Sequence, residues 1–218
     1  METTANIHQE TNKVLGIFAK IVSYVFHPLF VPTYVFWILL KNFPFSFSVA
    51  LPFLLNLKLF SVFWMTAFFP AFAVFLLWKL KLSSSIYLRT QRERIAPYII
   101  TMFFYWWMYY LARNMKDQPA VLEFFYFGIF LATIVGLIAN NFFKISMHAM
   151  GAGGAMAAVI LFSLFYQTNL GVVITITTLL AGLVCTARLL LNTHNVFEVY
   201  SGFLVGVICQ LLAYWWVG

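Results

Sequence analysis

Residues 188–198 read Arg-Leu-Leu-Leu-Asn-Thr-His-Asn-Val-Phe-Glu, and they separate two long apolar runs. Each run has about twenty residues, the length that a helix needs to cross a bilayer. The stretch therefore sets three ionisable side chains, Arg188, His194 and Glu198, at the edge of a membrane. Such groups are costly beside hydrocarbon, and by default they indicate a functional site.

The spacing within this stretch allows two interpretations. His194 and Glu198 are four residues apart, so on a helix they share a face, and the carboxylate orients the imidazole as a nucleophile or base. Arg188 then offers a planar fork for a phosphate. In the structural interpretation Asn195 caps the last helix, Glu198 closes a capping box and Arg188 extends its head to the interface.

The composition indicates an integral membrane protein. Of the 218 residues, 63% are hydrophobic and only 9% are charged, whereas a soluble domain has about a quarter charged residues. The net charge is +7, and the basic residues lie in short loops between the apolar runs. This pattern favours anionic lipid headgroups or a phosphorylated substrate over nucleic acid as their binding partner. The six carboxylates are scattered along the chain, so clustered oxygen ligands for Mg²⁺ are absent, and we expect neither a metal nor another cofactor.

The apolar runs predict an all-α, polytopic helical bundle of six to seven membrane spans in one domain, residues 14–218, after a polar tail, residues 1–13. The run at 14–40 is broken at His27-Pro28 and at Pro32, and its first part is suited to the interface. We interpret His27 as a structural residue. A loop at 42–58 follows, and the longest hydrophilic stretch is 81–96. The predicted spans are 25–40, 59–80, 97–111, 121–143, 146–166, 171–191 and 196–217.

Alternating spans bring three polar clusters to one face of the membrane. The first is the 188–198 stretch. In the second, Lys144-Ile-Ser-Met-His148, Ser146 is a candidate N-cap at a helix end that suits a phosphate, and His148 stands in the first turn as a proton donor. A capped helix with an interfacial histidine explains the same residues. The glycines and alanines at 149–158 indicate close helix packing.

The third cluster, Arg89, Arg92 and Arg94 in the 81–96 stretch, offers cations for an anion. For any one of these arginines, a solvated or headgroup-binding side chain is the simpler interpretation. As a cluster that faces His148 and His194, they favour a phosphate site.

Together the three clusters resemble the motifs of the type 2 phosphatidic acid phosphatase (PAP2) superfamily. Its signature is Lys-x6-Arg-Pro, then Pro-Ser-Gly-His, then Ser-Arg-x5-His-x3-Asp. The third motif is similar to Ala187-Arg188-x5-His194-x3-Glu198, and the second to Ile145-Ser-Met-His148. The first motif is the loosest: Arg89 takes the lysine position, Ala96 replaces the arginine and Pro97 is kept. Arg92 or Arg94 is the candidate substitute for the missing arginine.

The resemblance implies a metal-independent phosphatase. His194 would attack phosphorus and form a phosphohistidine, Glu198 would orient it, and His148 would protonate the leaving group. The phosphoryl oxygens would be held by a larger set of residues: Arg188, Ser146, Lys144, Arg89, Arg92 and Arg94. It also implies a bacterial inner-membrane protein whose active site faces the periplasm, although the positive-inside rule alone favours the cytoplasmic side for this basic face.

Three functions are open from the sequence. The first is hydrolysis of a lipid phosphate or diphosphate, with a headgroup phosphotransferase as a close variant. The second is a catalytically degenerate protein that binds or transports anionic lipid. The third, a structural membrane subunit, leaves the convergence of polar clusters unexplained. The partners in each case are the bilayer and, for the enzyme, a phosphorylated lipid; the oligomeric state stays open.

Overall fold

The computed structural model describes residues 2–48, 51–81, 90–115 and 117–218, with side chains from residue 13 onward. Every regular element in these ranges is helical. The nine α-helices are α1 Glu2–Val25, α2 Val31–Asn42, α3 Pro52–Phe63, α4 Phe69–Lys79, α5 Gln91–Asn114, α6 Val121–Asn140, α7 Met147–Phe165, α8 Gly171–Leu190 and α9 Val196–Val217. A single 3₁₀ turn, Pro44–Ser46, follows α2.

Five helical segments are long and apolar enough to cross a membrane. They are Pro52–Lys79, which joins α3 to α4, and the helices α6, α7, α8 and α9. The chain is therefore an all-helical protein with the character of a multi-pass membrane protein. The helix α2 has only 12 residues, about 18 Å at 1.5 Å per residue, and α5 begins with the charged stretch Arg92-Glu93-Arg94.

The N-terminal segment differs from the predicted division into a tail and an apolar run. The helix α1 begins at Glu2 and continues without a break to Val25, so the backbone of the predicted polar tail is helical. Its apolar residues Ala19 and Val22 are buried against Ala181, Val184 and Ala187 of α8. The predicted break at His27-Pro28 is confirmed, because it separates α1 from α2.

The predicted loop at 42–58 is wrong in its second half, because α3 begins at Pro52. Proline has its fixed φ and no N–H to pair, so it suits a first turn. A π-helical turn, Trp64–Phe68, links α3 to α4. It precedes Pro70, whose ring removes the hydrogen bond to Thr66 and widens the helix there.

The predicted loop at 81–96 is also too long, because α5 begins at Gln91 rather than at Pro97. Thr90 accepts a hydrogen bond from the Glu93 amide, and the Glu93 side chain accepts from the Thr90 amide. This capping box starts the helix two turns before the proline. Pro97 lies inside the helix, where it was expected to mark the boundary.

The four remaining predicted spans are helices, α6 to α9, whose ends lie within three residues of the predicted ones, and they form the core of the bundle. The helices α7 and α9 pack so closely that a Cβ on Gly206 would lie 2.0 Å from the Met150 carbonyl oxygen. A Cβ on Gly202 would lie 2.6 Å from the Ser146 carbonyl oxygen. The glycines therefore set the separation between the two helices that carry the second and third clusters.

Hydrogen bonds and an ion pair between helix ends show which loops share a face of the bundle. The Ser146 amide donates to the Glu198 carbonyl, and Arg94 donates to the Ile145 carbonyl, so the starts of α5, α7 and α9 meet. At the other end, Lys58 pairs with Asp117. The three polar clusters converge at one end, as the alternation of spans predicts, as far as their residues are described.

Candidate functional site

The turn between α8 and α9 holds His194 in a fixed position. The helix α8 ends at Leu190, and Asn192 adopts a positive φ of 49°, a conformation that asparagine tolerates better than most residues. Asn195 then caps α9 through a full capping box with Glu198. His194 lies between Asn192 and the N-cap Asn195, and it is 7% exposed.

Two acceptors hold one nitrogen of the His194 ring. Nδ1 lies 2.9 Å from the Lys144 carbonyl oxygen and 3.1 Å from Glu198 Oε2. Because both partners only accept hydrogen bonds, Nδ1 carries the proton in the neutral ring. The lone pair is then on Nε2, the state that a nucleophilic imidazole requires.

The surroundings keep this ring neutral. Burial, reinforced by the positive charges of Arg188 and Arg94, lowers the pKa of His194 to about 4 from its ordinary value of 6.5, although Glu198 and the Lys144 carbonyl act in the opposite direction. The contact with Glu198 is therefore a hydrogen bond from a neutral ring to a carboxylate at neutral pH, and Nε2 stays available as a base.

Glu198 makes the contacts that both interpretations of the sequence require. Its Oε2 accepts from the Asn195 amide at 3.1 Å and also faces His194 Nδ1. One oxygen thus closes the capping box and orients the ring.

The start of α7 supplies a second group of polar residues. Ser146 is fully buried, and its Oγ accepts from the Ala149 amide at 3.4 Å, so it is the N-cap that the sequence predicts. Lys144 Nζ donates to the Thr193 carbonyl at 3.4 Å. Burial and the charges of Arg94 and Arg188 lower the pKa of Lys144, which indicates that these three cations lie close together.

The arginines of the predicted phosphate-binding set differ in position. Arg94 is 7% exposed and donates to the Ile145 carbonyl at 3.4 Å, so it belongs to the cluster. Arg92 is exposed on the first turn of α5, away from the cluster, and Arg89 lies outside the described residues. Ala96 is also exposed, and of the two candidate substitutes for the missing arginine only Arg94 is buried.

Arg188 has one donor without a protein partner. Its Nη1 donates to Ser23 Oγ at 3.3 Å, while Nε is buried with no hydrogen bond to the part of the chain that the structure describes. An unmet buried donor costs about 1–3 kcal/mol, more for a charged group. A phosphoryl oxygen is a ligand that would satisfy it.

No feature of the sequence predicts the contribution of α1. Ser23 accepts from Arg188 through its hydroxyl, and its carbonyl oxygen lies 3.1 Å from His148 Nε2. His27 packs edge-on against His148 with ring centroids 5.1 Å apart. The interpretation of His27 as a structural residue assumed no polar neighbour, and that assumption is wrong. Contacts across more than 120 residues have no local sequence pattern.

In the described ranges, no group of three or more His, Cys, Asp or Glu side chains is arranged to hold a metal ion. In comparisons with known proteins, no family model, curated protein or solved structure matches the chain. The groups that the site offers for chemistry are one oriented neutral imidazole, a second imidazole and three cations.

Proposed function

We propose that this protein is a metal-independent membrane phosphatase that hydrolyses a lipid phosphate or diphosphate through a phosphohistidine. The observation that carries the proposal is the state of His194. Its Nδ1 is held by the Lys144 carbonyl and Glu198, and Arg94 and Arg188 act on the same ring. An oriented nucleophile among cations is what phosphoryl transfer without a metal needs.

The first chemical step uses this geometry. The Nε2 lone pair of His194 attacks phosphorus in line with the leaving oxygen, an N–P bond forms, and the P–O bond breaks with its electron pair on the leaving oxygen. His148 donates a proton to that oxygen. Because Nε2 of His148 faces the Ser23 carbonyl, the donor is Nδ1, which gains its proton when the anionic phosphate binds.

In the second step water attacks the phosphohistidine, and His148 takes a proton from that water as the N–P bond breaks. This step releases inorganic phosphate and regenerates the imidazole, whereas the lipid alcohol, or the lipid monophosphate from a diphosphate, already leaves in the first step. Arg188, Arg94 and Lys144 stabilise the charge on the phosphoryl oxygens in both steps. The Ser146 hydroxyl and the free amides at the start of α7 add neutral donors.

The proposed topology has seven spans, with α2 and α5 added to the five apolar segments. The helix α2 runs from the His27 end of the bundle to the stacked pair Phe43 and Tyr166. The helix α5 runs from Arg94 at the site to the loop that holds Asp117 at the opposite end. The resemblance of motifs to type 2 phosphatidic acid phosphatases supports an inner-membrane enzyme with this site in the periplasm.

A second candidate is a non-catalytic protein that binds anionic lipid. The observation that favours it is the position of Ser23, which occupies hydrogen-bonding groups of both Arg188 and His148. In this case the cations hold a headgroup and no phosphoryl transfer follows.

The test is phosphate release by purified protein with EDTA present. The panel contains phosphatidic acid, a polyprenyl diphosphate and a lipid A-type phosphate. We expect release that persists in EDTA and disappears in His194→Ala, and an acid-labile ³²P label on the wild-type protein alone. Loss of activity in EDTA would overturn the mechanism, and binding without release would favour the second candidate. Transfer of phosphate to an added alcohol would identify a phosphotransferase.

Two arginines on the same helical turn provide a matched control. Arg94→Gln removes a buried cation from the cluster, whereas Arg92→Gln removes an exposed one. Loss of one preorganised charged donor typically lowers kcat by about 10²–10³. We expect Arg94→Gln to show a loss of that size and Arg92→Gln a loss at least tenfold smaller.

A further inference from the structure

An apolar cavity of about 290 Å³ lies inside the bundle, directly beneath the polar cluster. Residues of α2, α4, α5, α6, α7 and α9 line it, and it is partly open to the outside. Its wall includes four small residues, Gly151, Gly154, Gly206 and Ala132. Two of them, Gly151 and Gly154, belong to the stripe of small residues on α7.

The upper end of the cavity is continuous with the candidate site. Pro97 and Met147 line it; Pro97 follows Arg94 by three residues, and Met147 follows Ser146 directly. His27, which packs against His148, is also part of the wall. A molecule held by its phosphate among the cations would therefore have its next atoms at the mouth of this cavity.

One polar atom near this end lacks a protein partner. Tyr98 is 3% exposed and lines the cavity, and its hydroxyl makes no hydrogen bond to any described residue. The side chain is one helical turn from Arg94, about 6 Å along the axis of α5. An unpartnered hydroxyl at that depth is available to a ligand at the boundary between its polar head and its hydrocarbon.

The outer wall of the cavity belongs to the segment Pro52–Lys79, most of which is not buried inside the bundle. It is formed by Pro70, Ala71 and Val74 of α4, just after the π-helical turn Trp64–Phe68. On the same helix Phe72 and Phe75 are 45% and 40% exposed, which suits contact with the hydrocarbon of a bilayer. This wall is therefore the side from which a hydrocarbon chain in the membrane would enter the cavity.

We propose that this cavity binds one hydrocarbon chain of the lipid whose phosphate occupies the His194 site. The inference rests on the proposed function, since it assigns the tail of the same substrate. An apolar cavity of about 150 Å³ takes a benzene molecule, so one of twice that size holds roughly ten to twelve carbons. On α5 the lining runs from Pro97 to Tyr105, about 12 Å at 1.5 Å per residue, which suits an extended chain of that length.

The experiment uses dodecyl phosphate with a diazirine near the end of its chain. Full-length protein in lipid nanodiscs is photolysed with this probe, and the labelled residues are identified by mass spectrometry. We expect labels on the cavity-lining parts of α5 and α6, around Tyr105 and Ala132. Ala132→Phe fills the cavity and should reduce these labels at least fivefold. Val135→Phe, on the exposed face of the same helix, should not.

The outcomes separate this proposal from the proposed function. Labels confined to outward-facing residues of the wild-type protein would overturn the cavity assignment and leave phosphate release untouched. Cavity labels that persist in His194→Ala, with no phosphate release by any form of the protein, would support the cavity assignment and overturn the proposed phosphatase activity. If Ala132→Phe does not fold, Thr101→Phe on α5 is the second variant that fills the cavity.

Discussion

At the scale of single residues, the site depends on one carboxylate with two tasks. Glu198 Oε2 accepts from the Asn195 amide and faces His194 Nδ1, so the start of α9 and the orientation of the imidazole depend on the same atom. The sequence offered these as competing explanations of one spacing. In three dimensions they are compatible, because a helix N-cap and the residue before it lie on the same side of the N3 carboxylate.

The titration of His194 tests this environment directly. Burial and the charges of Arg188 and Arg94 lower its pKa to about 4. Lowering the pKa of a base favours the neutral form, so the ring should stay neutral as pH falls through 6.5 and gain its proton only near 4. We expect ¹⁵N-histidine NMR spectra to show an Nδ1–H tautomer at pH 6 for the signal that His194→Asn removes. Protonation of that signal near pH 6.5 would contradict the buried, cation-flanked site.

At the scale of elements, the sequence predicted the presence of the helices better than it predicted where they begin. The helix α9 was predicted to the residue, because Asn195 and Glu198 mark its start and a long apolar run fixes its length. The start of α5 was missed, since Pro97 suggested a boundary while the Thr90–Glu93 capping box lies earlier. That difference decides which arginine enters the site: only the helical register places Arg94 inward and Arg92 outward.

The α7–α9 pair gives a prediction about helix packing. A Cβ on Gly206 would lie 2.0 Å from the Met150 carbonyl oxygen, a rigid backbone atom, whereas Gly182 on α8 has open space around it. Overpacking of this kind costs about 1–3 kcal/mol or more. We expect Gly206→Ala to lower the Tm in detergent clearly. Gly182→Ala should leave it unchanged or raise it slightly, because alanine is favoured over glycine in a helix by about 1 kcal/mol. Equal Tm values for the two variants would argue against the close approach of α7 and α9.

At the scale of the whole molecule, the site is an effect of topology. Ser23, Arg94, Ser146 and His194 come from four different helices or turns and meet at one end of the bundle. The sequence predicted this convergence for its three polar clusters by counting spans. It did not predict the role of α1, because a serine in an amphipathic helix has no pattern that distinguishes it from a surface residue.

The same topology makes a prediction about sidedness. The basic residues at the site end would favour the cytoplasm by the positive-inside rule. However, Arg94 is buried, and Lys144 and Arg188 make hydrogen bonds within the cluster, so these cations belong to a site rather than to a free loop surface. If Arg89 and Arg92 are assigned to the site as well, the predicted topology leaves four Lys and Arg residues at each end, and from the motif resemblance we then expect the site to face the periplasm.

Cysteine labelling in intact bacterial cells distinguishes these alternatives. In a Cys185→Ala, Cys209→Ala background, Asn141→Cys places an exposed thiol at the site end, and Thr168→Cys places one at the opposite end, beyond the end of α7. We expect a membrane-impermeant thiol reagent to label Asn141→Cys in intact cells and Thr168→Cys only after lysis. The reverse pattern would put the site in the cytoplasm. Labelling of both from outside would contradict a span at α7, and with it the convergence of the clusters at one membrane face, on which the proposed phosphatase depends.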